Sequence, residues 1–169
     1  MNKIIFLFCI VLCFGCGNNK TNIPQQQTNI KDIKNQVFVT LDNDSVKLSD
    51  IVTHKHLVFR YSVLDCKSCI DSLFYFLKMY EDKIGRDNIL LLTYYNNLRD
   101  FVVNARLNKI HYRILQIPEN RLFIKEDESR IPYFFNIDRN MNPVNFFFIT
   151  NINKQKYEVI NYLSSQQMY

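Results

Sequence analysis

Two apolar runs rich in β-formers, residues 57–63 (LVFRYSV) and 88–95 (NILLLTYY), constrain the fold of this chain more than any other feature. Neither alternates apolar with polar, so neither suits a sheet with one wet face. Each reads as a central strand covered on both sides. Between them Ile70, Leu73, Phe74, Leu77 and Tyr80 recur at three- and four-residue spacing. That is the stripe of an amphipathic helix, and it ends near Gly85. A strand, a helix and a second buried strand make a parallel crossover, which sets the fold class as α/β.

The flanking chain adds an antiparallel part. Residues 36–41 alternate like a strand, 42–45 turn, and 46–48 return. Ser49-Asp50 caps a short helical turn. Residues 97–109 form a second helix with Leu98, Phe101, Val102 and Leu107 on one face, and 112–117 are extended. A charged connection, 118–130, leads to a hairpin of 133–137 and 144–150 around a turn at 138–142. Pro143 has no N–H to give to a ladder, so the last strand belongs at an edge. Residues 157–163 close the chain as a helix. The expected architecture is a central mixed sheet with a parallel β-α-β half and a C-terminal β-hairpin plus helix.

Residues 1–16 read MNKIIFLFCIVLCFGC, with Lys3 before an uncharged apolar run. The run is too short for a bilayer, which takes about 20 residues, and fits the core of a secretory signal. Gly15-Cys16 followed by polar residues resembles a bacterial lipoprotein signal, in which the cysteine is acylated and becomes the mature N-terminus. Cys13 and Phe14 depart from that pattern. The expected division is a signal peptide at 1–15, a flexible tether at 16–35 and one folded domain at 36–169. The tether is polar, rich in Asn and Gln, and interrupted by Pro24.

Of five cysteines, Cys9 and Cys13 leave with the leader and Cys16 is expected to carry lipid. Cys66 and Cys69 remain, spaced C-x-x-C, and in an oxidising compartment the pair is expected to serve as a disulfide. They sit where a strand runs into the first turn of a helix. The free N–H groups and dipole there stabilise a thiolate, the reactive form of the thiol. Spacing of three puts both sulfurs on one side, so Cys69 can resolve a mixed disulfide formed on Cys66. Lys67 adds positive charge between them, Ser68 completes the motif, and Asp65 opposes the thiolate. Arg60, on the incoming strand, can approach the same site.

The segments LVFRYSVLDCKSC and RIPYFFNIDRNMNPVNFFFIT resemble the thioredoxin-like superfamily, specifically its membrane-anchored, extracytoplasmic thiol–disulfide oxidoreductases. The resemblance covers roughly residues 37–163. It implies a three-layer fold, Cys66 as nucleophile and Cys69 as resolving cysteine. It also implies a cis Ile131–Pro132 bond, with the prolyl ring against the cysteines and the Ile131 backbone in reach of a substrate strand. The activity implied is reduction of disulfides in exported proteins by a lipid-anchored, periplasm-facing monomer fed from a membrane electron donor. Asp65 stands where the family often has Trp, Lys67-Ser68 replaces its usual dipeptides, and Arg60 replaces a frequent carboxylate or Asn. The alternative is a non-catalytic accessory or binding lipoprotein with the same fold and a structural Cys66–Cys69 disulfide.

Other chemistries find less support. Only three glycines are present, and Gly15 and Gly17 lie in the leader region. Neither a phosphate-cradling loop nor a dinucleotide fingerprint can be built from Gly85 alone. The net charge of +5 comes from scattered basic residues, not the concentrated patch that nucleic acid requires. A metal could use Cys66 and Cys69 with His54 and His56, but the spacing does not favour it. The expectation is neither metal nor organic cofactor.

Overall fold

The computed structural model describes residues 32–129 and 131–166. Its strands form one sheet in the order β2-β1-β5-β4-β3-β6-β7. Strands β3 (His56–Ser62) and β4 (Ile89–Tyr94) lie at the centre and pair in parallel, from Leu57 opposite Ile89 to Ser62 opposite Tyr94. Every residue of β3 is buried, the polar His56, Arg60 and Ser62 included. Strand β5 (Arg113–Gln116) continues the parallel half beside β4. The hairpin of β1 (Val37–Val39) and β2 (Ser45–Lys47) extends that side antiparallel. On the other side β6 (Tyr133–Ile137) runs antiparallel to β3, and β7 (Pro143–Phe148) forms the edge that Pro143 demands.

Alternation along the central strands splits the core in two. Leu57, Phe59, Tyr61, Leu91 and Phe134 face the long helices α2 (Lys67–Ile84), α3 (Leu98–Leu107) and α4 (Ile152–Ser164). Val58, Leu90, Leu92, Tyr133 and Phe135 face the opposite way. There the cover is the short helix α1 (Leu48–Ile51), the N-terminal Ile33 and the connection through Ile117 and Leu122. Both outer layers are therefore present, though one is mostly irregular chain. Gln36 ties that layer together: its side chain donates to the Arg121 carbonyl at 2.6 Å and accepts from the Phe123 N–H at 2.8 Å.

Two boundaries differ from expectation. Residues 32–35 pack rather than trail, since Ile33 is 1% exposed and Asp32 caps a 3-10 turn at Ile33–Asn35. Helix α4 begins at Ile152, well before residue 157. Asn151 accepts the Lys154 N–H at 3.2 Å and Ile152 is buried, a cap and anchor that outweigh the polar stretch after them. The expected signal peptide at 1–15, Cys16 and the rest of the expected tether lie outside the described residues. Among the described residues no helix is long and apolar enough to cross a membrane.

Gly85 stops α2 with φ +85°, and a Cβ there would lie 2.8 Å from Asn88 Nδ2. Near the same helix end, Glu81 anchors α2 to the segment before β5. Its carboxylate accepts from Lys78, Arg86 and the Tyr112 hydroxyl at 2.7, 2.7 and 2.9 Å. Those donors outweigh desolvation and hold its pKa at about 2.

Candidate active site

Strand β3 ends at Ser62, and a tight turn through Val63–Asp65 delivers Cys66 as the N-cap of α2. Cys66 is exposed and Cys69, one turn further in, is half-buried; both are free thiols here. The cap position carries no side-chain hydrogen bond to the helix backbone, so the first-turn N–H groups remain available to a sulfur.

The two thiols differ in the direction expected of nucleophile and resolver. The Cys69 thiol donates towards Cys66 Sγ, the Ser68 hydroxyl lies 3.2 Å from that sulfur, and the Cys69 backbone N–H also points at it. Together these lower the Cys66 pKa below its ordinary thiol value. The same bond from Cys69, and then partial burial, push the Cys69 thiol up; the Ile152 N–H at the start of α4 opposes them. Ser68 therefore acts by direct contact. Lys67 occupies the first position of α2 beside it.

Asp65 points away from the thiols. Its Oδ2 accepts the Ser62 N–H at 2.7 Å and lies 3.9 Å from Arg60 Nη1. Burial raises its pKa, while the Ser62 N–H and Arg60 pull the other way. The carboxylate thus fixes the turn that presents Cys66, and its charge is held by Arg60.

Arg60 does reach this end of the site, but from beneath. Alternation sends it to the α1 face with Val58, where it is 1% exposed. Nε sits 2.7 Å from Asp127 Oδ1, off the N–H axis, as an ion pair. Nη2 donates to the Asn120 carbonyl at 3.2 Å and to its Oδ1 at 3.0 Å. Asp127 also accepts from the Leu122 N–H at 2.5 Å and the Tyr133 hydroxyl at 2.8 Å. Tyr133, which beside Pro132 could have lined a peptide groove, is instead fully buried, as are Phe134 and Phe135. Sequence reasoning did not reach Asp127 or Asn120. The available signal was an arginine inside a buried strand, which must have a carboxylate nearby, though nothing in the spacing says which one.

Pairing of Arg60 with Tyr133 brings Ile131 and Pro132 to the sheet end from which Cys66 emerges. The expected cis bond is absent. No described peptide bond is cis, Ile131–Pro132 included. Trans is the lower-energy state of an X–Pro bond, and in it the Pro132 carbonyl already accepts the Ile149 N–H at 3.0 Å. His54 and His56 stand at the opposite end of β3, roughly 20 Å away at about 3.3 Å per residue. There His54 bonds Asn88 at 2.6 Å, and the His56 ring contacts the His54 carbonyl at 2.9 Å. Strand β3 itself therefore separates the histidines from the cysteines that a metal would have to share.

Neither a protein-family model nor a curated protein sequence matches the chain. Solved structures do. A thioredoxin-like protein of Porphyromonas gingivalis is similar with a TM-score of 0.58 at 15% identity, over 78% of this chain and 88% of that one. A thiol:disulfide interchange protein from Bacteroides sp. gives 0.53 at 16%, over 77% and 86%. An exposed lipoprotein thioredoxin from Streptococcus pneumoniae gives 0.52 at 16%, over 74% and 96%. The class these likenesses define is a fold: the chain has a thioredoxin-like fold, with a C-x-x-C pair at the N-terminus of the helix after the central strand.

Proposed function

We propose that this chain is an extracytoplasmic thiol–disulfide oxidoreductase that reduces disulfides of exported proteins. The observation that carries the reading is the asymmetry of the Cys66–Cys69 pair: one thiol exposed and lowered, the other half-buried and raised. The Cys66 thiolate attacks one sulfur of a substrate disulfide, and the other substrate sulfur departs as a thiolate and takes a proton. Cys69 loses its proton and attacks Cys66 Sγ. The substrate leaves as a dithiol with two electrons gained, and Cys66–Cys69 becomes the disulfide. A dithiol donor in the membrane returns the two electrons.

Reduction is the direction implied by the resemblance to membrane-anchored relatives. Reduction of insulin by the chain with dithiothreitol tests the activity. The expected result is turbidity well ahead of the uncatalysed reaction, falling to the uncatalysed rate in Cys66→Ser. Equal rates for both proteins would favour a structural disulfide.

The chain works as a monomer held at the membrane through acylated Cys16, facing the periplasm, with Ile131 and Pro132 beside the bound substrate. Gly15-Cys16 after a short apolar run supports the anchor. Palmitate should label the protein in cells and fail to label Cys16→Ala. Persistent labelling of that variant would remove the anchor.

A further inference from the structure

The turn that presents Cys66 is held by polar bonds rather than by packing. Its two central residues, Val63 and Leu64, are 45% and 68% exposed, so neither anchors it by burial. The Val63 N–H donates to the Tyr94 carbonyl at 3.0 Å, and the remaining bonds converge on Ser62 and Asp65. The Asp65 N–H donates to the Ser62 carbonyl at 3.0 Å, and the Ser62 N–H donates back to Asp65 Oδ2 at 2.7 Å. The Ser62 hydroxyl accepts the Leu64 N–H at 3.1 Å. Ser62 is itself buried at the end of β3, so the frame stands on rigid sheet.

Asp65 is also tied from beneath. Its carboxylate lies 3.9 Å from Arg60 Nη1, and Arg60 Nε lies 2.7 Å from Asp127. Asp127 belongs to the 3-10 turn Lys125–Ser129, so carboxylate, guanidinium and carboxylate join the segment before Pro132 to the turn before Cys66. What the turn delivers is the place of one sulfur. The Cys66 carbonyl accepts the Ile70 N–H at 3.0 Å and so joins the cap to α2. Cys66 Sγ is met by the Ser68 hydroxyl and by the thiol and N–H of Cys69. Those contacts last only while Sγ stays over the first turn of the helix.

From these contacts we infer that Asp65 is a positioning residue for the attacking thiol: seated on the Ser62 N–H and braced by Arg60, it holds Cys66 Sγ within reach of Ser68 and Cys69. The role is one of acceptor geometry, not of charge. A carboxylate acting through its charge would oppose a neighbouring thiolate, whereas here the charge is committed to Arg60. The inference rests on the thiol-exchange reading for the use made of Cys66, and adds to it the residue that keeps the nucleophile in place.

Alkylation of Cys66 by iodoacetamide across pH, followed peptide by peptide in the reduced chain, tests the role. Asp65→Ala should move the midpoint of the Cys66 profile up. Each unit of rise should slow the reaction at pH 7 about threefold, because the tenfold loss of thiolate is partly offset by greater nucleophilicity. Asp65→Asn, whose amide oxygen can take the Ser62 N–H without a charge, should restore the parent midpoint. Ser62→Ala loses the Leu64 bond and alters no charge. It should move the midpoint in the same direction as Asp65→Ala, and it decides the matter even if Asp65→Ala folds poorly. A midpoint lowered alike in Asp65→Ala and Asp65→Asn would reveal a charge effect and overturn the inference. So would a lower Tm with an unmoved midpoint in Asp65→Ala and Ser62→Ala, the result of a turn that serves stability only. A parent chain that reduces no insulin, while its variants shift the midpoint as expected, would remove the exchange reading and retain the positioning role.

Discussion

Asp127→Ala is expected to destabilise the domain by about 3–5 kcal/mol, a large share of the 5–15 kcal/mol typical of folded proteins. The reason lies in the alternation of β3. Arg60 is sent to a face where it is 1% exposed, and Asp127 supplies its 2.7 Å ion-pair contact. Removing the carboxylate leaves a buried guanidinium with Asn120 and the 3.9 Å contact to Asp65. The Leu122 N–H and Tyr133 hydroxyl lose an acceptor as well. Thermal unfolding should show a fall in Tm of roughly 10–20 °C. Replacing both partners, as Arg60→Met with Asp127→Leu, should recover part of the loss, because the guanidinium is no longer stranded, while Asp65 loses Arg60 and the Leu122 and Tyr133 donors still lack their acceptor. A small loss in Asp127→Ala would mean that the pair is solvated and does not shape the base of the site.

The second large effect concerns thiol reactivity. In the reduced chain at pH 7, iodoacetamide should modify Cys66 about tenfold or more faster than Cys69. A pKa lowered by one unit raises the thiolate fraction about tenfold in this range, and the accompanying loss of nucleophilicity takes back less than half of that on a log scale. Cys66 is lowered and Cys69 raised, so the two shifts act in the same direction on the ratio. The Cys66 rate should climb with pH and level off below the ordinary thiol value of 9.0. Because the leading cause is the bond donated by the Cys69 side chain, Cys69→Ala should move that midpoint up. Cys69→Ser, which keeps a donor, should move it less. Equal rates for the two cysteines would contradict the assigned roles.

Much of the fold was legible because the sequence signals were local. The mostly apolar runs of β3 and β4, the helical stripe from Ile70 and Pro143 each report on their own neighbourhood, and each element lies where its pattern puts it. The C-x-x-C site was legible for the same reason, since Cys66, Ser68 and Cys69 sit within one helical turn. What escaped was non-local. Asp127 lies in a charged connection with no periodicity, yet closes on Arg60 from across the sheet face. Gln36 reaches Arg121 and Phe123 over a similar separation. The cis bond expected at Ile131–Pro132 came from family likeness alone, and this chain carries trans there. Ile152 was missed because its cap and anchor sit ahead of a polar stretch that hides the helix start.

The central claim is that Cys66 attacks and Cys69 resolves, and mixed-disulfide trapping tests it most directly. The full chain carrying Cys69→Ser, expressed in cells, should accumulate disulfide-linked adducts through Cys66 that dithiothreitol releases. Cys66→Ser should accumulate few, because the remaining thiol is half-buried with a raised pKa. Adducts on Cys66→Ser but not on Cys69→Ser, or on neither, would contradict the assignment and leave the Cys66–Cys69 pair a structural element of the fold.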